Sequence, residues 1–156
     1  AIDGPVYIRL NRNDLPVLFN EKTPFATGKP LVVKEGSQVA LIATGTMTAI
    51  ALEAAGLLET KGISARVIHL GTIKPLDIAA LAKAVNGARG IVTCEEHTIY
   101  GGVGSAGAEA LRAAPLPMRM VGIQDRYGQS AVCYGELLVH YGLTKENIAA
   151  AAEELL

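Results

Sequence analysis

The amino-acid sequence predicts an α/β domain in which a parallel sheet carries helices on both faces. Three observations carry that prediction. From residue 38 onward, short apolar runs suited to strands buried on both faces alternate with segments of helical period. The first strand–helix–strand unit takes about 30 residues, the length that a right-handed crossover needs. The chain has 156 residues, 50% of them hydrophobic, so one domain can bury a core without disulfide or metal staples.

The N-terminal part is the least regular. Val6-Tyr7-Ile8-Arg9-Leu10 follows a Gly4-Pro5 turn signal and reads as a strand with no earlier element to pair with. A chain that starts on such a strand, without an initiator Met, is expected to be part of a larger polypeptide. Residues 11–37 are aperiodic and rich in Asn, Pro and Gly, as a linker between domains would be; within them Leu31-Val32-Val33 reads as a short strand before the turn at Glu35-Gly36.

The regular domain occupies residues 38–156. Val39 to Ala43 is a strand, and Thr44-Gly45-Thr46 turns the chain, with Thr46 placed to cap a helix. Met47, Ile50, Ala51, Ala54, Leu57 and Leu58 recur at helical spacing, and Gly62 ends that helix. Arg66 to Leu70 is the next strand. Asp77 caps a helix over Ile78, Leu81, Ala82 and Val85, which Gly87 stops. Gly90 to Cys94 is a strand running into a loop at Glu95-Glu96-His97. The Gly-rich stretch Gly101 to Gly107 opens a helix through Leu111, and Pro115 and Pro117 forbid its continuation. Met118 to Ile123 is the last strand. A polar loop, a helix over Gly135–Tyr141 and a Thr144-capped helix to Leu156 complete the chain.

Charge and composition remove whole classes of function. The 14 basic residues are interspersed among 15 acidic ones, so no clustered basic face for nucleic acid is expected. No run of 18 apolar residues could form a membrane-spanning helix. Cys94 and Cys133 have no metal-ligand spacing and read as two reduced, mostly buried thiols of a cytoplasmic protein. No His spacing resembles a metal site, and His69 and His140 read as core-edge residues.

In open α/β sheets, ligands bind beyond the carboxyl ends of the strands. Gly102-Val103-Gly104-Ser105-Ala106-Gly107 there matches a dinucleotide fingerprint literally. However, seven residues, Glu95 to Gly101, separate it from Cys94, where a fingerprint begins at the strand's end. A Gly-rich turn that packs a helix close to the sheet or to a second subunit fits better. Free N–H groups at that helix start would also suit a small anion, in a regulatory module. Glu95, Glu96 and His97 could form an acid/base cluster; an interface loop with paired charges is the preferred reading. Arg9 and Arg12, which flank the end of the first strand, suit either a phosphate clamp or a surface salt bridge.

Several phrases resemble the C-terminal part of transketolases. They are Gly4-Pro5-Val6-Tyr7-Ile8-Arg9-Leu10-Asn11-Arg12, Val39 to Gly45, Thr72-Ile73-Lys74-Pro75-Leu76-Asp77, Glu95-Glu96-His97-Thr98-Ile99-Tyr100-Gly101-Gly102-Val103-Gly104-Ser105, and Tyr141-Gly142-Leu143-Thr144. The resemblance spans nearly the whole chain. It is nearest to the split bacterial and archaeal form, in which a C-terminal subunit pairs with an N-terminal one. The wider family includes deoxyxylulose-phosphate synthases and the beta-type subunits of 2-oxoacid dehydrogenases, which stand as alternatives.

The resemblance implies a mostly parallel five-stranded sheet with one antiparallel strand, supporting a homodimer. It also implies ketol transfer between phosphosugars, as in the pentose phosphate pathway, with thiamine diphosphate and a divalent metal (Mg or Ca) held by N-terminal domains. Residues 1–10 would be the last strand of the preceding pyrimidine-binding domain, 11–37 the linker and short strand, and 38–156 the C-terminal domain. The catalytic Glu and the cofactor and metal ligands would lie outside this chain, leaving it inactive alone. Arg12 falls where the family places a guanidinium on the substrate phosphate, although Asn11 departs from the usual preceding residue. Glu95, Glu96, His97, Gly101, Gly102 and Gly104 would belong to a loop facing the subunit interface.

Overall fold

The computed structural model describes residues 2–156. Its centre is β2 (Val39–Ala43), whose five residues are all fully buried. Parallel strands flank it on both sides: β3 (Ala65–His69) and β4 (Gly90–Thr98), with Ala43 level with His69 and Cys94. Outside β4 runs β5 (Met118–Ile123), also parallel, and outside β3 runs β1 (Leu31–Lys34), antiparallel. The order is β1-β3-β2-β4-β5, a five-stranded, mostly parallel sheet.

The period-2 alternation of strands divides the core into two layers. Val39, Leu41, Ala43, Val67, Val92 and Cys94 face α1 (Met47–Thr60) and α5 (Lys145–Glu153). Ala40, Ile42, Ile68 and Ile91 face α2 (Ile78–Val85) and α3 (Val103–Ala110). Both faces of β2 are therefore covered, which explains its uninterrupted apolar run. Each fully buried Leu or Ile here contributes about 1.5–3 kcal/mol. The exposed ion pairs Lys61–Glu153 and Lys145–Glu53, which link α1 to α5, contribute much less, so apolar packing decides this layer.

Local signals set the helix ends. After α1 the amide of Gly62 (φ +74°) bonds to Glu59 O and that of Ile63 to Leu58 O, a Schellman stop. Asp77 caps α2 by accepting from Ala80 N at 2.9 Å, and Thr144 caps α5 by accepting from Asn147 N at 3.3 Å. A short helix, α4 (Tyr134–His140), precedes α5 and buries none of its residues.

Several expectations are corrected. Residues 6–10 pair with no strand among the described residues; Ala1 lies outside the described residues. Glu95-Glu96-His97 is not a loop, since β4 continues through them to Thr98, which pairs with Ile123 beyond an irregularity in the ladder. Thr46 precedes α1 but does not cap it: its backbone is already helical, and its hydroxyl is engaged elsewhere. Cys94 is buried but Cys133 is exposed, and His140 is exposed at the end of α4 instead of at the core edge. The last helix ends at Glu153, short of Leu156.

The strand order determines where a crevice forms. From β2 the chain passes to β3 on one side through α1, then crosses back through α2 to β4 on the other. The carboxyl ends of β2 and β4 therefore part company, and this switch point is where ligands of open α/β sheets sit.

Candidate functional site

The switch-point crevice is filled by the chain's own N-terminal segment. Asn11 donates through Nδ2 to Thr46 Oγ1 (2.9 Å), just past β2, and to Glu96 Oε2 (3.4 Å) on β4. Thr46 Oγ1 itself donates to Glu96 Oε2 at 3.2 Å, which closes a triangle. Asn11 Oδ1 accepts from the backbone N (2.8 Å) and from Nδ2 (2.9 Å) of Asn13. All four hydrogen-bonding positions of the Asn11 amide are thus used. Arg9 Nη2 adds a bond to the backbone O of Glu96 at 3.0 Å.

Tyr134, at the start of α4, brings its hydroxyl to the same cluster. That oxygen is buried against Thr46, Glu96 and Asn11, yet no partner is placed for a hydrogen bond of normal geometry. Burial raises the phenol's pKa, Glu96 adds to the rise, and the contacts with Thr46 and Asn11 partly offset it.

Glu95 points to the opposite face of β4, as strand alternation requires. It is 1% exposed, and its carboxylate accepts from Val103 N (2.7 Å) and Gly104 N (3.0 Å) at the start of α3. These two N–H groups would otherwise be unpaired, and the helix N-terminus favours negative charge. Gly102 is required here because a side-chain carbon would collide with the Glu95 carboxylate. At Gly104 such a carbon would lie 2.6 Å from Met120 Sδ and 2.8 Å from Thr93 Oγ1. Gly102 and Gly104 of the Gly-x-Gly-x-x-Gly run therefore serve close packing. A dinucleotide or small anion at this helix start would have to displace the protein's own carboxylate, which removes the small-anion module as a reading of this helix start. Burial, reinforced by Glu95, pushes the neighbouring Cys94 thiol well above its usual range.

Of the residues singled out in the sequence, Glu95, Gly102 and Gly104 thus form one internal cap, and Glu96 belongs to a different cluster. Arg12 is exposed and makes no ion pair or hydrogen bond among the described residues, although the Asn11–Asn13 turn brackets it. His97 is exposed and joins neither group. Gly101 (φ +74°) is also exposed, and its N–H donates to Ser105 Oγ at 3.0 Å. Tyr134 and the roles of Asn11 and Thr46 were not legible from motifs. The one available signal was Asn11 itself, as an unusual neighbour of Arg12. On β3, His69 Nδ1 lies 2.8 Å from Thr48 Oγ1 and its ring 4.9 Å from that of Phe19, and burial lowers its pKa.

With this geometry in place, comparison with known proteins decides the family. Residues 28–148 match the family model described as transketolase, C-terminal domain. The chain belongs to the transketolase C-terminal domain family. A 6-deoxy-6-sulfo-D-fructose transketolase subunit, SqwH, of Clostridium sp. (strain MSTE9) is 40% identical over 99% of this chain and 48% of its own length. An apulose-4-phosphate transketolase subunit of Phocaeicola vulgatus is 37% identical over 97% of the chain and 49% of its own. Among solved structures, a split-gene transketolase in an inactive beta4 tetramer superposes with a TM-score of 0.93 at 44% identity, covering 99% of this chain and 51% of that one. This transketolase domain thus spans about half the length of those relatives.

Transketolases and deoxyxylulose-phosphate synthases are in general thiamine diphosphate enzymes. The described residues do not fit the diphosphate and metal end of that cofactor. The start of α3 is filled by Glu95, and among the described residues no group of three or more His, Cys, Asp or Glu could hold a metal. No helix among them is long and apolar enough to cross a membrane.

Proposed function

We propose that this domain is the C-terminal part of a cytoplasmic transketolase that moves two-carbon ketol units between phosphosugars, and that it is inactive alone. In this reading thiamine diphosphate and its metal are held by N-terminal domains, on the same chain or on a partner subunit. The domain buttresses a homodimer and lends Arg12 to the substrate phosphate. Residues 1–10 are the last strand of the preceding domain, residues 11–37 the linker and the short strand β1, and residues 38–156 the C-terminal domain.

The observation that carries the reading is the form of the N-terminal segment. It pairs with no strand of this domain and is pinned to the switch point through Arg9 and Asn11. It also exposes Tyr7 (89%), Ile8 (71%) and Leu10 (84%), beside an unpaired Arg12. A row of exposed apolar side chains on unpaired backbone is what a strand leaves when its sheet lies on a neighbouring domain. An exposed guanidinium held next to it suits a phosphate.

The test supplies thiamine diphosphate, Mg²⁺, a ketose phosphate and an aldose phosphate, first to this polypeptide alone and then to it joined with its N-terminal part. Turnover only in the joined form is expected. A second reading has its own observation: a 1-deoxy-D-xylulose-5-phosphate synthase of Heliobacterium modesticaldum is 38% identical over 98% of this chain, which spans 24% of that protein. Release of CO₂ from a 2-oxoacid donor would favour that reading over ketol transfer.

A further inference from the structure

The chemistry around Asn11 shows how Arg12 is held. Glu96, Thr46 and Asn11 come from three separate places: strand β4, the turn after β2, and the N-terminal segment 85 residues from Glu96 in sequence. The amide of Asn11 faces both ways. Its NH₂ is fixed by Thr46 and Glu96, and its oxygen reaches past Arg12 to bind the backbone and side chain of Asn13. The residue carrying the guanidinium is therefore bracketed by a two-residue turn whose base is bolted to the sheet. Serine at position 11 has a single donor and could not serve both Thr46 and Glu96 as the NH₂ of Asn11 does.

We propose that Asn11 and Glu96 are positioning residues for Arg12. Together with Thr46 they form a clasp that fixes the phosphate-binding guanidinium relative to the sheet. This rests on the reading above in which Arg12 binds substrate phosphate. The clasp makes phosphate recognition a property shared between the N-terminal segment and the C-terminal domain. A sugar without phosphate would gain nothing from it.

The test uses the enzyme joined with its N-terminal part. Asn11→Asp keeps the shape of the side chain, removes both of its donors and sets a second carboxylate against that of Glu96. It should raise KM for phosphosugars roughly tenfold, the loss expected from one or two hydrogen bonds to a charged group. It should leave kcat, and the kinetics of unphosphorylated sugars, nearly unchanged. Glu96→Gln in the same chain restores a donor facing Asp at 11, so the double variant should recover most of the lost affinity. Arg12→Ala separates the two claims. If it leaves KM unchanged, the phosphate role of Arg12 is wrong. If it raises KM while Asn11→Asp does not, or if the double variant shows no rescue, the clasp is wrong. Amide hydrogen exchange at Asn13 adds a readout independent of turnover: it should accelerate in Asn11→Ala, which removes the acceptor of the Asn13 N–H, and unchanged exchange there would also overturn the clasp.

Discussion

The carboxylate of Glu95 occupies the space that a side chain on Gly102 would need, so the residue that caps α3 also dictates the glycine before it. Glu95→Ala would leave the Val103 and Gly104 amides buried without partners, at roughly 1–3 kcal/mol each. Thermal unfolding should show a loss of about 2–5 kcal/mol. Gly102→Ala should be comparably costly. Its nearest collision is with Glu95, so the double variant should lose less than the sum of the two, while the approach to Thr98 O (2.6 Å) persists in both Gly102 variants. Strict additivity, measured by denaturant unfolding, would contradict this coupling.

His69 makes stability depend on pH. Burial lowers its pKa below the usual 6.5, so the unfolded chain binds the proton more readily than the folded one. The stabilisation is complete above 6.5 and is lost as pH falls through the lowered folded value. His69→Gln should flatten the dependence of Tm on pH across that window. A variant with the same slope as the wild type would place the effect elsewhere.

The two cysteines should behave as unlike thiols. Cys133 is exposed at the start of α4, whereas Cys94 is buried and its thiol is pushed up by burial and by Glu95. A thiol-specific chromogenic disulfide should titrate one equivalent in the native protein and the second only after denaturation. Two fast equivalents would mean that β4 opens readily.

The sequence displayed some of this architecture and concealed the rest, for physical reasons. Local chemistry was legible: β5 lies over Met118–Ile123 as the apolar run implies, Asp77 and Thr144 cap their helices, and Gly62 stops α1. The five-stranded, mostly parallel sheet likewise agrees with the resemblance. Long-range chemistry was not legible. The end of β4 reads as a loop because two acids and a histidine interrupt its apolar run; they stay in the strand because one acid caps a helix and the other clasps the N-terminal segment. Thr46 has the right identity for a cap, but its hydroxyl is committed to Glu96, 50 residues away. Val6 to Leu10 has strand composition, but a strand needs a partner edge, and composition does not supply one.

The central claim is that this domain recognises and supports but does not itself catalyse. The most direct measurement is ketol transfer between phosphosugars, with thiamine diphosphate and Mg²⁺, by this polypeptide alone and by the form joined to its N-terminal part. The account predicts no turnover above background for the first and robust turnover for the second, with KM for phosphosugar raised by Arg12→Ala. Turnover by the polypeptide alone at the rate of the joined enzyme would contradict it.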